Sequence, residues 1–464
     1  MPALLVGTLL VCAVVAVAWG IGALRKHPEC RYRWIRAGTP LALFSLLVAL
    51  LAIAAEMPFR DWSGARLAWS AAIEYGYGAY SGVDDGPVLS TIYGPVSPLL
   101  FMPALLVGDI TWAMVFAGVI NICTCVVPMV VLVRWGRCRR GESGVVGWAA
   151  IVIAVASMLI LPSVRNLTHN IHVDAAAVGF GLLGCIMLFG PDRAPSPPRL
   201  TAAACFTALA VWTKQVEITL GLAQVAYLWL LFGWRVVLGF VWRVAAFGLG
   251  LGAVFVAAFG FEGMWFHLWT IPSHHPMAQF VQLDPERVVY PPTYRLIVTE
   301  LLTWGAPFVA AILAVQLATP RSHRRWLRQD WFLLLLVAAV LFPTSVLARA
   351  KVGGWVNSYH THYFLVAAAV LAWAQFLDRF GASRRGMRIG FGAIFAVAVA
   401  AFWCPVHLGG LRRLPHLYDN PQRQAYDFAK AHPGEAWFPW HPLAVLLAEG
   451  KLYHFYYAMV DRDI

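Results

Sequence analysis

The chain has little charge. Asp, Glu, Lys and Arg make up only 12% of its 464 residues, while 60% are apolar and mean hydropathy is +0.68. A water-soluble domain of this length needs a far more charged surface, so that class is excluded. Segments alternating apolar and polar residues are also missing. A transmembrane barrel therefore has no support, and helices must satisfy the backbone inside a bilayer. No internal repeat is seen. No basic residues precede the first apolar run, which opens Met-Pro-Ala and is too long for a typical signal core; it reads as a retained helix. The net charge of +12 is spread over short loops without a patch or motif, so nucleic acid is not an expected partner.

What is present is a series of apolar runs long enough to cross a hydrocarbon core as helices. They fall at 2–24, 38–55, 111–133, 144–162, 174–190, 199–213, 216–233, 243–260, 302–318, 331–348, 361–377 and 388–407, twelve in all. Alternate loops between them hold 21 of the 35 basic residues, among them Arg25, Arg31, Arg134, Arg140, Arg199, Arg243, Arg324, Arg328, Arg384 and Arg388. The positive-inside rule puts those loops in the cytoplasm and both termini on the opposite side. Of the eight cysteines, Cys12, Cys123, Cys125, Cys185, Cys205 and Cys404 lie in spans, and Cys30 and Cys138 in cytoplasmic loops. None is extracytoplasmic, so no disulfide framework is implied. Cys123-Thr-Cys125 has no neighbouring His and reads as helix packing.

Four extracytoplasmic loops concentrate the polar residues. The first carries Asp61 just past the second span, an amphipathic helix at Asp61–Tyr77 expected to lie on the membrane, and Tyr93-Gly94-Pro95 opening a short helix at 98–107 that does not cross. Asp84-Asp85-Gly reads as a solvated turn. The second loop runs Arg165-Asn-Leu-Thr-His169-Asn-Ile-His172-Val-Asp174, so Asp174 begins a helix, where the dipole favours a carboxylate. His169, His172 and Asp174 form a weak candidate for a metal site. The third loop, 260–300, is long enough to be a lid or binding loop and carries Trp265, His267, His274, His275, Asp284, Glu286 and Arg287. The fourth holds Arg349, Lys351, Asn357, His360 and His362. Outer-face cations oppose the positive-inside trend; they either bind an anion such as a phosphate or balance Asp61 and Asp174. Lys214-Gln215, in a tight hairpin, raises the same choice.

An Asp after an early span, an amphipathic helix, then Gly76–Tyr80 and Tyr93-Gly94-Pro95 resembles the integral-membrane GT-C glycosyltransferases, near the protein O-mannosyltransferases and the bacterial aminoarabinose transferases. His172-Val-Asp174-Ala matches their second acidic motif. Lys351-x-Gly-Gly-x-x-Asn357 with its following His residues resembles another segment. The likeness covers most of 38–407 and rests on the order and sidedness of its motifs. Departures are the extra first span and Trp62 where the family often has Glu after its Asp, which leaves Glu56 as a rival for the functional carboxylate.

The resemblance implies an all-α polytopic membrane protein, a GT-C-like bundle of about twelve transmembrane helices at 1–407. Residues 408–464 are expected to form a small extracytoplasmic α/β segment, either a minimal domain packed on the third loop or an incomplete one. It implies a polyprenyl-phosphate-linked sugar donor, a lipid, glycan or protein acceptor and inversion, at the extracytoplasmic face of the bacterial inner membrane. Asp61 would be the general base. Lys351, Arg349 and Lys214 would hold the lipid phosphate. Asp174, His172, Tyr93, Asn357 and His360 would bind sugar or acceptor, and a divalent metal ion stays open as cofactor. The alternatives are a flippase or transporter of a lipid-linked sugar, whose ionisable residues belong nearer the midplane, and an oligosaccharide polymerase or ligase.

Overall fold

The computed structural model describes residues 46–89, 92–138, 144–190, 192–277, 293–318, 326–380, 410–456 and 458–459. The expected spans 2–24 and 388–407, and Asp284, Glu286 and Arg287 of the third loop, lie outside them. Among the described residues the fold is helical, with one isolated β-bridge, Met277 to Lys351.

The chain enters on α1 (Leu46–Phe59), then α2 (Asp61–Glu74) and the short α3 (Val96–Phe101) of the first loop. Next come α4 (Ile110–Cys138), α5 (Gly144–Ile160), α6 (Pro162–His169) and α7 (Val173–Leu188). They are followed by α8 (Pro197–Thr213), α9 (Ile218–Phe232), α10 (Trp234–Phe259), α11 (Thr293–Leu317), α12 (Asp330–Ala350) and α13 (His360–Phe380). Two helices, α14 (Pro421–Ala431) and α15 (Pro442–Glu449), close the described chain.

Among the described residues, five helical stretches are long and apolar enough to cross a bilayer, and six if the bent pair α5–α6 counts as one; α1 and α7 are apolar but shorter. The chain is thus an integral membrane protein of helical class. α5 and α6 meet at 88°, where Leu161 is extended and Pro162 opens the new helix, as the restriction on a residue before proline dictates. α10 leaves Leu238, Trp242, Leu249 and Val254 exposed, an apolar face for lipid. One buried core joins α4, α5, α7, α8, α9, α12 and α13. α7 approaches α4 closely because Gly179 has no side chain; a Cβ there would lie 1.9 Å from Thr124 O, the small-residue device of membrane helix pairs.

A second core joins α1, α2 and α4 to the C-terminal segment through Leu67, Ala68, Leu443, Leu446 and Phe455. This revises two expectations. α2 does not lie on a surface: Ser63 through Ala72 are all buried, because α15 and the following strap cover its outer face. The C-terminal segment packs on the first loop: Tyr77 Oη donates to Gly450 O (3.0 Å), Phe455 N to Val88 O (3.0 Å), and Trp62 meets Phe455 edge-on. Among its described residues, the segment expected to be α/β is helical, with α14 and α15 its longest helices, and has no strand. Its extended pieces make single bonds, Phe455 to Val88 and Tyr456 to Pro439, and no ladder.

Candidate functional site

The site is built where the ends of α6, α7, α8 and α13 meet. Asn121, buried on α4, donates to Leu167 O (2.6 Å) and accepts from His172 N (3.2 Å). This fixes the turn between α6 and α7 and carries Asp174 into the first turn of α7, where the exposed N–H groups favour a carboxylate. α8 ends at Thr213, and Lys214 turns back under it before a single 3-10 turn, Gln215–Glu217, enters α9. Gln215 Nε2 donates to Ile92 O and Leu268 O, both 2.9 Å, so this turn fastens the first and third loops together. The Tyr93-Gly94-Pro95 turn docks on the same point. Gly94 N donates to Thr213 O (3.2 Å), and a Cβ on Gly94 would lie 1.7 Å from Trp212 O.

Asp174 is fully buried and is held from four sides. Lys214 Nζ donates to Oδ1 at 2.5 Å, and His360 Nε2 lies 2.9 Å from the same oxygen. On the other oxygen, Asn357 Nδ2 donates to Oδ2, and His172 Nδ1 stands 2.8 Å away. His360 Nδ1 in turn meets Glu217 Oε1; Glu217 is fully buried. A lone carboxylate in such a place costs several kcal/mol, on the order of what its paired cations return. Burial works against the Lys214 ammonium, but the Asp174 carboxylate outweighs it and holds Lys214 above the ordinary lysine value. Burial also pushes His172 below the ordinary imidazole value, more than Asp174 pulls it up.

Over this cluster lies an aromatic rim. Lys214 Nζ sits 5.4 Å from the Tyr93 ring centre, and Tyr93 meets His172 edge-on at 5.5 Å. Arg66, on α2, stacks its guanidinium on three rings, Trp69 (4.7 Å), Tyr93 (5.2 Å) and Trp62 (5.3 Å). The arrangement puts two cations, Lys214 and Arg66, against the one ring of Tyr93. That pairing suits an anion, and cation–π contact adds about 0.5–2 kcal/mol per ring.

The structure thus brings together Asp174, His172, Tyr93, Lys214, Asn357 and His360. It does not bring in the others. Asp61 is exposed at the start of α2 and bears electrostatically on His441 of the C-terminal segment. Its rival Glu56 is buried and paired with Arg60 at 2.9 Å. Arg349 Nη1 donates to Gly354 O (2.9 Å) and stacks on Trp355; Lys351 Nζ donates to Pro272 O (2.7 Å). Neither is a partner of Asp174. His169 Nδ1 faces Arg165 O at 2.8 Å, away from His172 and Asp174. Among the described residues no group of three His, Cys, Asp or Glu is arranged to hold a metal ion. The donors around Asp174 are ammonium, imidazole and amide groups, a set that suits a carboxylate and not a cation.

Two members were missed from the sequence, Glu217 and Arg66. Glu217 had a signal: an acid within an apolar run is a functional hypothesis by default. Arg66 stands between Trp62 and Trp69 at helical spacing, which reads as one aromatic face with a cation on it.

The same arrangement of helices is found among solved structures. ArnT from Cupriavidus metallidurans bound to undecaprenyl phosphate superposes with a TM-score of 0.56 at 13% identity, over 89% of this chain and 85% of that one. The chain shares the fold of that ArnT structure, as the GT-C resemblance of the sequence implies. The apo form of the same ArnT gives 0.48 at 17% identity over 85% of this chain and 69% of that one. The Archaeoglobus fulgidus oligosaccharyltransferase gives 0.40 at 14% identity, and this chain spans 58% of its length. No protein-family model matches the sequence, and no curated protein does. At such identities the GT-C likeness speaks for the fold, and the reading of the site stands on its own residues.

Proposed function

We propose that the protein is a membrane glycosyltransferase that moves a sugar from a polyprenyl-phosphate-linked donor to an acceptor hydroxyl on a lipid, glycan or protein, with inversion at the anomeric carbon. The observation that carries the reading is the pair of cations, Lys214 and Arg66, set against the Tyr93 ring at the rim of a buried, charge-compensated carboxylate. It is supported by a fold shared with a protein solved with undecaprenyl phosphate bound. The loop charges favour a site on the extracytoplasmic face, and the likeness to ArnT favours a bacterial inner membrane.

The chemistry assigns each group a task. The acceptor oxygen attacks the anomeric carbon and gives its proton to a general base, worth about 10²–10⁴ in rate; that role is assigned to Asp61, which stands outside the Asp174 cluster but is exposed at the start of α2, the helix that carries Arg66. The bond from that carbon to the phosphate oxygen breaks, and the phosphate leaves with the electron pair. It is already a stable anion and needs no proton, only the fixed positive charge that Lys214 and Arg66 supply. Asp174, held by His172, Asn357 and His360, aims Lys214. Tyr93 offers the sugar a ring face. Arg349 and Lys351 fasten the fourth loop to itself and to the third.

The test uses purified protein in lipid with a panel of polyprenyl-phosphate sugars and reads release of free polyprenyl phosphate. Release that falls with Asp61→Asn and with Lys214→Met supports the reading. No release with any donor, alongside movement of the lipid across the bilayer, overturns it in favour of a flippase.

A further inference from the structure

His360 is the least accessible titratable partner of Asp174, 1% exposed, and both of its ring nitrogens face carboxylates. Nε2 stands 2.9 Å from Asp174 Oδ1, and Nδ1 meets Glu217 Oε1. A neutral imidazole has one N–H, so it satisfies only one of these oxygens and turns a lone pair on the other. A doubly protonated ring donates to both. The charged groups acting on His360 are Glu217, from the turn between α8 and α9, Lys214 before it, and Asp174 on α7. Two carboxylates, Asp174 and Glu217, then face two cations, Lys214 and His360. The buried set is neutral as a whole, which is the condition under which such charges tolerate burial.

Among the described residues Glu217 is paired with His360, and Lys214 acts on it from farther off. Its second oxygen, Oε2, is buried without a hydrogen-bond partner among the described residues. An unsatisfied buried oxygen costs about 1–3 kcal/mol, and packing gives no reason to keep an acid here. We infer that Glu217 and His360 are positioning residues: His360 is an imidazolium bridging Glu217 and Asp174, and Glu217 keeps it so. Glu217 thereby balances the second cation and leaves the Asp174 charge to hold Lys214 at the mouth of the site. The inference rests on the reading of that mouth as the place of the donor phosphate, but the protonation of His360 does not depend on it.

The experiment is nitrogen NMR of the full chain in lipid discs with ¹⁵N-labelled histidine, the His360 signals being identified by their loss in His360→Gln. In the native protein at pH ~7 both His360 nitrogens are protonated; in Glu217→Gln, which keeps the shape and removes the charge, the ring is neutral at that pH. A carboxylate at this range favours the protonated form of the ring it faces. Transfer by Glu217→Gln is expected to fall with rising pH, about tenfold for each unit the His360 titration has moved, while the native rate stays flat over the same interval. A singly protonated His360 in the native protein overturns the inference, and this measurement needs no variant beyond the one that assigns the signal. An unchanged ring signal in Glu217→Gln overturns it as well. Both are read without any transfer, so failure of the glycosyltransferase reading leaves them standing and is told apart from them.

Discussion

Two sets of outer-face cations look alike in the sequence and differ in the structure. Lys214 is buried against Asp174 with its ammonium under Tyr93. Arg349 and Lys351, in the loop that also supplies Asn357 and His360, are spent on backbone carbonyls, Gly354 O and Pro272 O. Sidedness marks both sets as out of place; only the path of the chain tells which converge on a carboxylate. A cation that breaks the topological trend needs a partner, and that partner is as readily a loop carbonyl as an anionic ligand.

One substitution made in both places breaks the comparison most sharply. Lys214→Met strips the buried Asp174 of its closest cation, and removing one member of a buried pair costs about 3–5 kcal/mol. A large loss of thermal stability in lipid, with loss of donor binding, is expected. Lys351→Met removes one bond from a half-buried lysine to a carbonyl, about 0.5–1.5 kcal/mol at most, and leaves donor affinity unchanged. Equal effects of the two in a thermal melt and a donor-binding titration refute the distinction.

Between these extremes lie the residues that seat the site. Gly94→Ala drives a methyl into Trp212 O, and such overpacking costs about 1–3 kcal/mol. It is expected to lift the Tyr93 turn off α8, reduce transfer and expose Lys214 to exchange with solvent. Asn121→Ala leaves the His172 N–H without its acceptor and Leu167 O without its donor, about 1–3 kcal/mol; hydrogen exchange should rise at the α6–α7 turn and not in α10.

The smallest effect concerns the C-terminal segment. Burial pushes His441 below its ordinary value against the pull of Asp61. The folded state therefore disfavours its protonation, and docking on α2 is at full strength above pH about 6.5 and weakens as pH falls below it. Faster hydrogen exchange over 421–456 at pH ~5.5 than at pH ~7.5, abolished in His441→Phe, is the expected result.

How much of this was legible follows from the kind of signal each part leaves. The helical class, the apolar runs that form long helices among the described residues and the short helix before α4 were readable, because hydrocarbon thickness acts locally along the chain. Asp174, His172, Lys214, Asn357 and His360 were readable as polar residues at span ends. Their convergence was not, since it depends on the 88° bend at Pro162 and on the close approach at Gly179. Glu217 was absorbed into an apolar run, and the burial of α2 was hidden because the segment that covers it lies more than 300 residues away in the chain.

The central claim is that the Lys214–Asp174 cluster handles the phosphate of a lipid-linked sugar and that Asp61 handles the acceptor. The most direct measurement follows polyprenyl phosphate released from lipid-linked donors by the native protein, Asp61→Asn and Lys214→Met, with donor binding measured in parallel. Asp61→Asn is expected to bind donor and release nothing, while Lys214→Met is expected to lose donor binding itself. Full release by Asp61→Asn, or donor binding by Lys214→Met equal to the native protein's, contradicts the claim.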